Sequence, residues 1–204
     1  MKKSKEISFV ALFAALTAVG GFISIPFYPV PLTFQVFFVL LSGIILGKRL
    51  GALSQIVYIG IGAIGAPIFH NFTGGVGIIL GPTGGFLIGF VFGAYMAGFF
   101  YEKFSNNKFR FSSLLFSIAP IYIIGVLWLS FITNMTISKA ILVGGVPFIP
   151  GDIVKVIMVF LVEKKVKKYF NFNTWLLFFQ IISSILRKMS YYITFINTFI
   201  NYSL

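Results

Sequence analysis

Phe148-Ile-Pro-Gly-Asp152-Ile-Val-Lys155, running on through an apolar stretch to Glu163-Lys-Lys165, decides how this chain folds. Pro150 suits the first turn of a helix, where its missing N–H costs nothing, and an acid in that turn favours the positive end of the helix dipole. The lysines at 164, 165, 167 and 168 fix the far end at a membrane surface. At 1.5 Å per residue, the run from Asp152 to Lys164 rises about 18 Å, against roughly 30 Å of hydrocarbon. With Lys168 as the boundary the rise is about 24 Å. Asp152 is therefore expected below the opposite membrane surface. It is the only aspartate in the chain. Lys155, three residues on, projects from the same helix face. Ionisable groups at that depth are costly enough to mark a functional site, here a site for a small polar ligand. The competing role is a mutual ion pair that pins this helix to a neighbour.

Outward from this segment the rest of the chain is equally apolar. Of its 204 residues 58% are hydrophobic and 10% charged, with a mean hydropathy of +1.01, which fits a bilayer and no soluble surface. Apolar runs near 7–25, 32–47, 49–66, 83–101, 112–133 and 149–163 predict six membrane helices joined by short loops. A net charge of +12 suggests nucleic acid only until the charges are placed. Lys2, Lys3, Lys5, Lys48, Arg49, Lys103, Lys108, Arg110 and the lysines at 164–168 fall on one side, and Lys139 alone on the other. This positive-inside pattern predicts that the N-terminus and the end of the sixth helix are cytoplasmic. Residues 1–168 are thus expected to form one six-helix membrane domain. The basic start followed by Ile7–Ile25 also has the form of a secretory signal; a retained first helix that sets the orientation is the preferred reading.

Helix 1 carries Ala11, Ala14, Ala15 and Ala18, two small-xxx-small pairs suited either to internal packing or to docking a partner subunit. The segment Pro29-Val-Pro-Leu-Thr-Phe-Gln35 and the residues before it make a stiff, uncharged loop suited to covering something. Gln35 is a candidate ligand contact or an interhelical amide. Eleven glycines lie between Gly60 and Gly93, including Gly74-Gly75 and Gly81-Pro-Thr-Gly-Gly85. The latter reads as a tight turn that exposes backbone amides. No Gly-Lys-Ser or Gly-Lys-Thr follows it, so it binds no nucleotide phosphate. His70, the only histidine, has no cysteine or nearby carboxylate with which to hold a metal and reads as a loop residue. Residues 169–204 form a tail with polar positions at helical spacing, predicted as an extra interfacial helix in preference to a seventh crossing.

Taken together, Ala11–Gly21, Pro29–Gln35, Gly47-Lys-Arg-Leu-Gly-Ala52, Gly62–Phe69, Gly74-Gly75, Gly81–Phe86 and Phe148–Lys155 resemble the biotin transporter BioY family. These are substrate-binding S components of energy-coupling factor (ECF) transporters. The resemblance runs from about residue 7 to 165, and its Gly-Pro-Thr-Gly-Gly and Pro-Gly-Asp-x-x-Lys elements are specific. It implies an all-α S-component bundle in a prokaryotic cytoplasmic membrane. Asp152 and Lys155 would then bind the ureido ring of biotin, Thr73, Gly74 and Gly75 would contact it from a loop, and Gln35 and Phe86 would line the site. The alanines of helix 1 would meet the coupling transmembrane subunit. Leu87 stands where some relatives place a basic residue, leaving the biotin carboxylate to Lys155, loop amides or an aqueous opening. No cofactor is implied. Without a phosphate-binding loop, ATP hydrolysis must come from separate subunits. Another vitamin, thiamine or riboflavin, is the alternative ligand. An intramembrane enzyme is disfavoured because Glu6, Glu102 and Glu163 all fall at helix ends away from Asp152.

Overall fold

In a computed structural model, residues 2–104 and 106–169 are described; the tail assigned to an interfacial helix lies, apart from Tyr169, outside them. The long helices are α1 (Lys2–Phe22), α2 (Gln35–Ala63), α4 (Gly84–Lys103), α5 (Asn107–Thr133) and α7 (Ile149–Tyr169). Between them lie two short ones, α3 (Val76–Ile79) and α6 (Ile137–Gly144). Strands β1 (Ser24–Ile25) and β2 (Leu32–Thr33) pair antiparallel and fold the proline-rich loop into a small ribbon, the one departure from an all-helical chain among the described residues.

Five stretches are long and apolar enough to cross a membrane. The six helices expected from sequence are nonetheless present, because α2 is a hairpin of two legs. Gly47 breaks it with φ 82° and ψ 168°, a backbone that glycine adopts without steric penalty. The legs run back along each other: a Cβ at Gly51 would stand 2.6 Å from the Cα of Gly43, and the Gln55 amide donates to Ser42 Oγ at 3.2 Å. At the apex Lys48 pairs with Glu102 of α4 at 3.0 Å.

Glycine determines which helices approach most closely. A Cβ on Gly43 would strike the carbonyl of Ala94, one on Gly98 the backbone of Lys48, and one on Gly89 the backbone of Ile121. The α2 hairpin, α4 and α5 are therefore packed backbone to backbone, as small residues permit in a bilayer. Inside that packing Gln55 also accepts from Thr17 and donates to Ser54, so a fully buried amide is satisfied at both ends.

On α7 Val156 and Val159 are fully buried, and Phe160 lies edge-on to Phe111 of α5. The helix starts where Pro150 predicts, just after a 3-10 turn over Val146–Phe148. On α1, Ala14 and Ala18 are buried whereas Ala11 and Ala15 are exposed. Steps of 100° around the helix put the two pairs on different faces, so internal packing takes one and the other remains on the outside.

Candidate functional site

A cavity with about 590 Å³ of space between its walls, counting space open to the outside, lies among the proline-rich loop, α2, the 69–70 turn, α4, α5 and α7. Its apolar wall includes Val30, Phe69, Phe86, Phe90, Ile121 and Phe148. Its polar groups are Thr33, Gln35, His70, Thr83, Tyr122, Asp152 and Lys155. A mostly apolar hollow with a few converging polar groups is the usual form of a small-molecule site.

Asp152 and Lys155 are 4% and 8% exposed, and the Lys155 ammonium donates to Asp152 Oδ1 at 2.6 Å. The second carboxylate oxygen, Oδ2, accepts from the Tyr122 hydroxyl at 2.6 Å. Each oxygen carries two lone pairs, so accepting one bond from the protein leaves capacity for a ligand N–H. The ammonium likewise has donors beyond the one committed to Asp152. The two charges offset each other, which lowers the cost of holding them out of water.

Gln35 belongs to the same polar set. Its Oε1 accepts from Thr33 at 3.0 Å and its Nε2 donates to the Tyr58 hydroxyl. Tyr58 passes the bond on to the carbonyl of Ile68 at 3.3 Å. Through this chain Gln35 ties the proline-rich loop to the segment that positions Phe69 and His70. His70 is half-buried, and that burial lowers its imidazole pKa, so the ring is neutral near pH 7.

Of the residues singled out in the sequence, Gln35, Phe86, Asp152 and Lys155 come together around this cavity. Thr73, Gly74 and Gly75 are not in its wall. The Thr73 hydroxyl donates to the carbonyl of His70 at 2.8 Å, Gly75 N–H donates to Gly62 O at 2.7 Å, and Gly74 lies so close to Ala66 that a Cβ would meet its carbonyl. They shape the turn that presents Phe69 and His70. In the Gly81–Gly85 turn Gly84 N–H is bonded to Gly81 O at 3.1 Å and the following Phe86 N–H to Thr83 O at 3.1 Å, and the turn contributes Thr83 to the wall.

Tyr122 was not anticipated from sequence. The available signal is its position in the middle of α5, two residues after Pro120, since tyrosines of membrane helices favour the interfaces and one at mid-helix needs a polar partner. His70, read as a plain loop residue, stands in the cavity wall. No group of three or more metal-ligating side chains occurs among the described residues.

Fold and site together define a multi-pass membrane protein with a ligand cavity enclosed between its helices. Residues 1–172 match the BioY family model, and the chain belongs to the BioY family. It is 47% identical over 153 residues, 75% of its length and 90% of the relative's, to a probable biotin transporter BioY of Pyrococcus horikoshii. It is 42% identical over 164 residues, 80% of its length and 96% of the relative's, to the biotin transporter BioY of Thermotoga maritima. Among solved structures it is similar to the S component for biotin of an ECF-type ABC transporter. The TM-score is 0.74 at 30% identity, covering 82% of this chain and 93% of that one. That likeness agrees with the S-component fold expected from the sequence, and a BioY protein of this kind is a transporter subunit, not an enzyme.

Proposed function

We propose that this chain is the substrate-binding S component for biotin, binding the vitamin for uptake across the membrane. The buried Asp152–Lys155 pair in the wall of an otherwise apolar cavity, in a chain of the BioY family, carries this reading. Biotin presents N–H donors and a carbonyl on one ring, an apolar body and a carboxylate on a flexible tail. Asp152 supplies the acceptor for the ring N–H groups, Lys155 the donor for the carbonyl, and Phe86, Phe90 and Phe148 the apolar contact. Gln35 closes the site at the loop side. Thr73, Gly74 and Gly75 act one layer out, by holding the turn that carries His70.

In this reading the membrane is the cytoplasmic membrane of a prokaryote. The ends rich in lysine and arginine face the cytoplasm, which orients the cavity toward the outer surface. Transport is energised by an ECF coupling subunit and ATPase subunits. Ala11 and Ala15, the exposed pair on α1, are the surface offered to the coupling subunit. Purified protein titrated calorimetrically with biotin, thiamine and riboflavin tests the assignment: saturable binding of biotin alone supports it, and preference for either other vitamin overturns the specificity while leaving the fold intact.

A further inference from the structure

We infer that Tyr122 is a positioning residue for ligand recognition, holding the Asp152 carboxylate in the orientation that receives the ligand's N–H groups. The inference rests on the assignment of Asp152 to the ligand site. Asp152 and Lys155 share one helix three residues apart, so their mutual bond of 2.6 Å fixes one side chain against the other. It says nothing about where the pair points relative to the rest of the cavity. The glycines that bring helix backbones together join the α2 hairpin, α4 and α5, whereas Gly151 of α7 faces only the Leu32 side chain. A side chain reaching across from a more closely packed helix adds a constraint on the orientation of the pair. Tyr122 does so from α5, a helix fixed by close packing against α4, where Gly89 meets the backbone of Ile121. Its hydroxyl meets Oδ2 at 2.6 Å while Lys155 meets Oδ1 at 2.6 Å. Two donors on two oxygens determine the plane of the carboxylate as well as its position. The lone pairs left over then face the cavity that Tyr122, Asp152 and Lys155 all line. Bonds to a charged acceptor are short and directional, so a donor that fixes the acceptor in advance reduces the ordering that the ligand must bring about.

The test exploits a property of the chain: Asp152 is its only aspartate, so aspartate labelled with carbon-13 at the side-chain carboxyl gives one side-chain signal in the full-length protein. In the wild type this signal is sharp and shifts on addition of biotin. In Tyr122→Phe, which keeps the ring and removes the hydroxyl, the ligand-free signal is expected to move and broaden, with biotin bound about tenfold more weakly. Gel filtration and thermal unfolding establish that the variant is folded; should it fail to fold, Tyr122→Trp, with a donor of different reach, is measured in the same way. An unmoved Asp152 signal in a folded variant overturns the inference, even where affinity falls, because the loss then bypasses Asp152. A moved signal with unchanged affinity overturns it as well. Should wild-type protein bind biotin with no response at Asp152, the ligand-site assignment itself fails, an outcome distinct from either.

Discussion

Replacing Asp152 by asparagine changes almost nothing in shape and reverses the chemistry of one terminal atom. The carboxylate accepts from Lys155 on one oxygen and from Tyr122 on the other, both at 2.6 Å. Asparagine offers one oxygen and one NH₂, so its oxygen can keep the bond from Lys155 only if the Tyr122 hydroxyl turns from donor to acceptor for the NH₂. The Lys155 ammonium, 8% exposed, also loses the charge that offsets it. Breaking a buried pair by removing one partner costs about 3–5 kcal/mol, much of it in the charge left behind. The part that the ligand experiences is the bond from its N–H to a charged acceptor, about 1.5–3 kcal/mol. At 1.4 kcal/mol per decade this corresponds to roughly a 10- to 100-fold rise in Kd for biotin. Calorimetry on wild type and Asp152→Asn in lipid nanodiscs, paired with thermal unfolding of each, gives both quantities. A folded variant whose Kd lies within twofold of wild type would refute the role assigned to Asp152.

Four further outcomes follow from other parts of the molecule. Tyr58→Phe strands the Gln35 amide and the Ile68 carbonyl inside the protein, and is expected to cost about 1–3 kcal/mol of stability, visible as a lower thermal midpoint. Gly43→Ala drives a methyl into the Ala94 carbonyl and is expected to reduce the folded yield or cost at least about 1–3 kcal/mol, whereas Gly77→Ala, with open space around the added Cβ, should leave the midpoint unchanged. His70 has a folded-state pKa below its ordinary value of about 6.5; above that value neither state is protonated there, and stability falls as pH drops below it because the unfolded chain takes up the proton first. Thermal unfolding of His70→Gln should lack this part of the acid sensitivity. On α1, Ala15→Trp should retain biotin binding and lose co-purification with the coupling subunit, while Ala14→Leu should lower the thermal midpoint instead.

The membrane fold was legible because it rests on composition and length, and even the break at Gly47 shows in the sequence as a glycine followed by two basic residues between apolar runs. Asp152 and Lys155 were legible because a charged residue in an apolar helix is conspicuous by itself. Tyr122 was not, because its meaning lies in a partner 30 residues away on another helix, and sequence spacing within α5 carries no trace of that contact. The glycines show a different limit. In a sequence, a glycine that opens its amide to a ligand looks the same as one that lets a carbonyl approach, as Gly74 does beside the carbonyl of Ala66. The short helix α6 carries too few residues for an apolar run to stand out as a span. The alanines of α1 fall between these cases: the spacing gave two faces, and only burial distinguishes the inner pair from the outer.

A structure of the protein with biotin bound tests the account most directly. Ligand density is predicted in the cavity among Gln35, Phe86, Tyr122, Asp152 and Lys155, with the ureido ring within hydrogen-bond distance of Asp152. Density elsewhere, or a ring that turns its N–H groups away from that carboxylate, would contradict it.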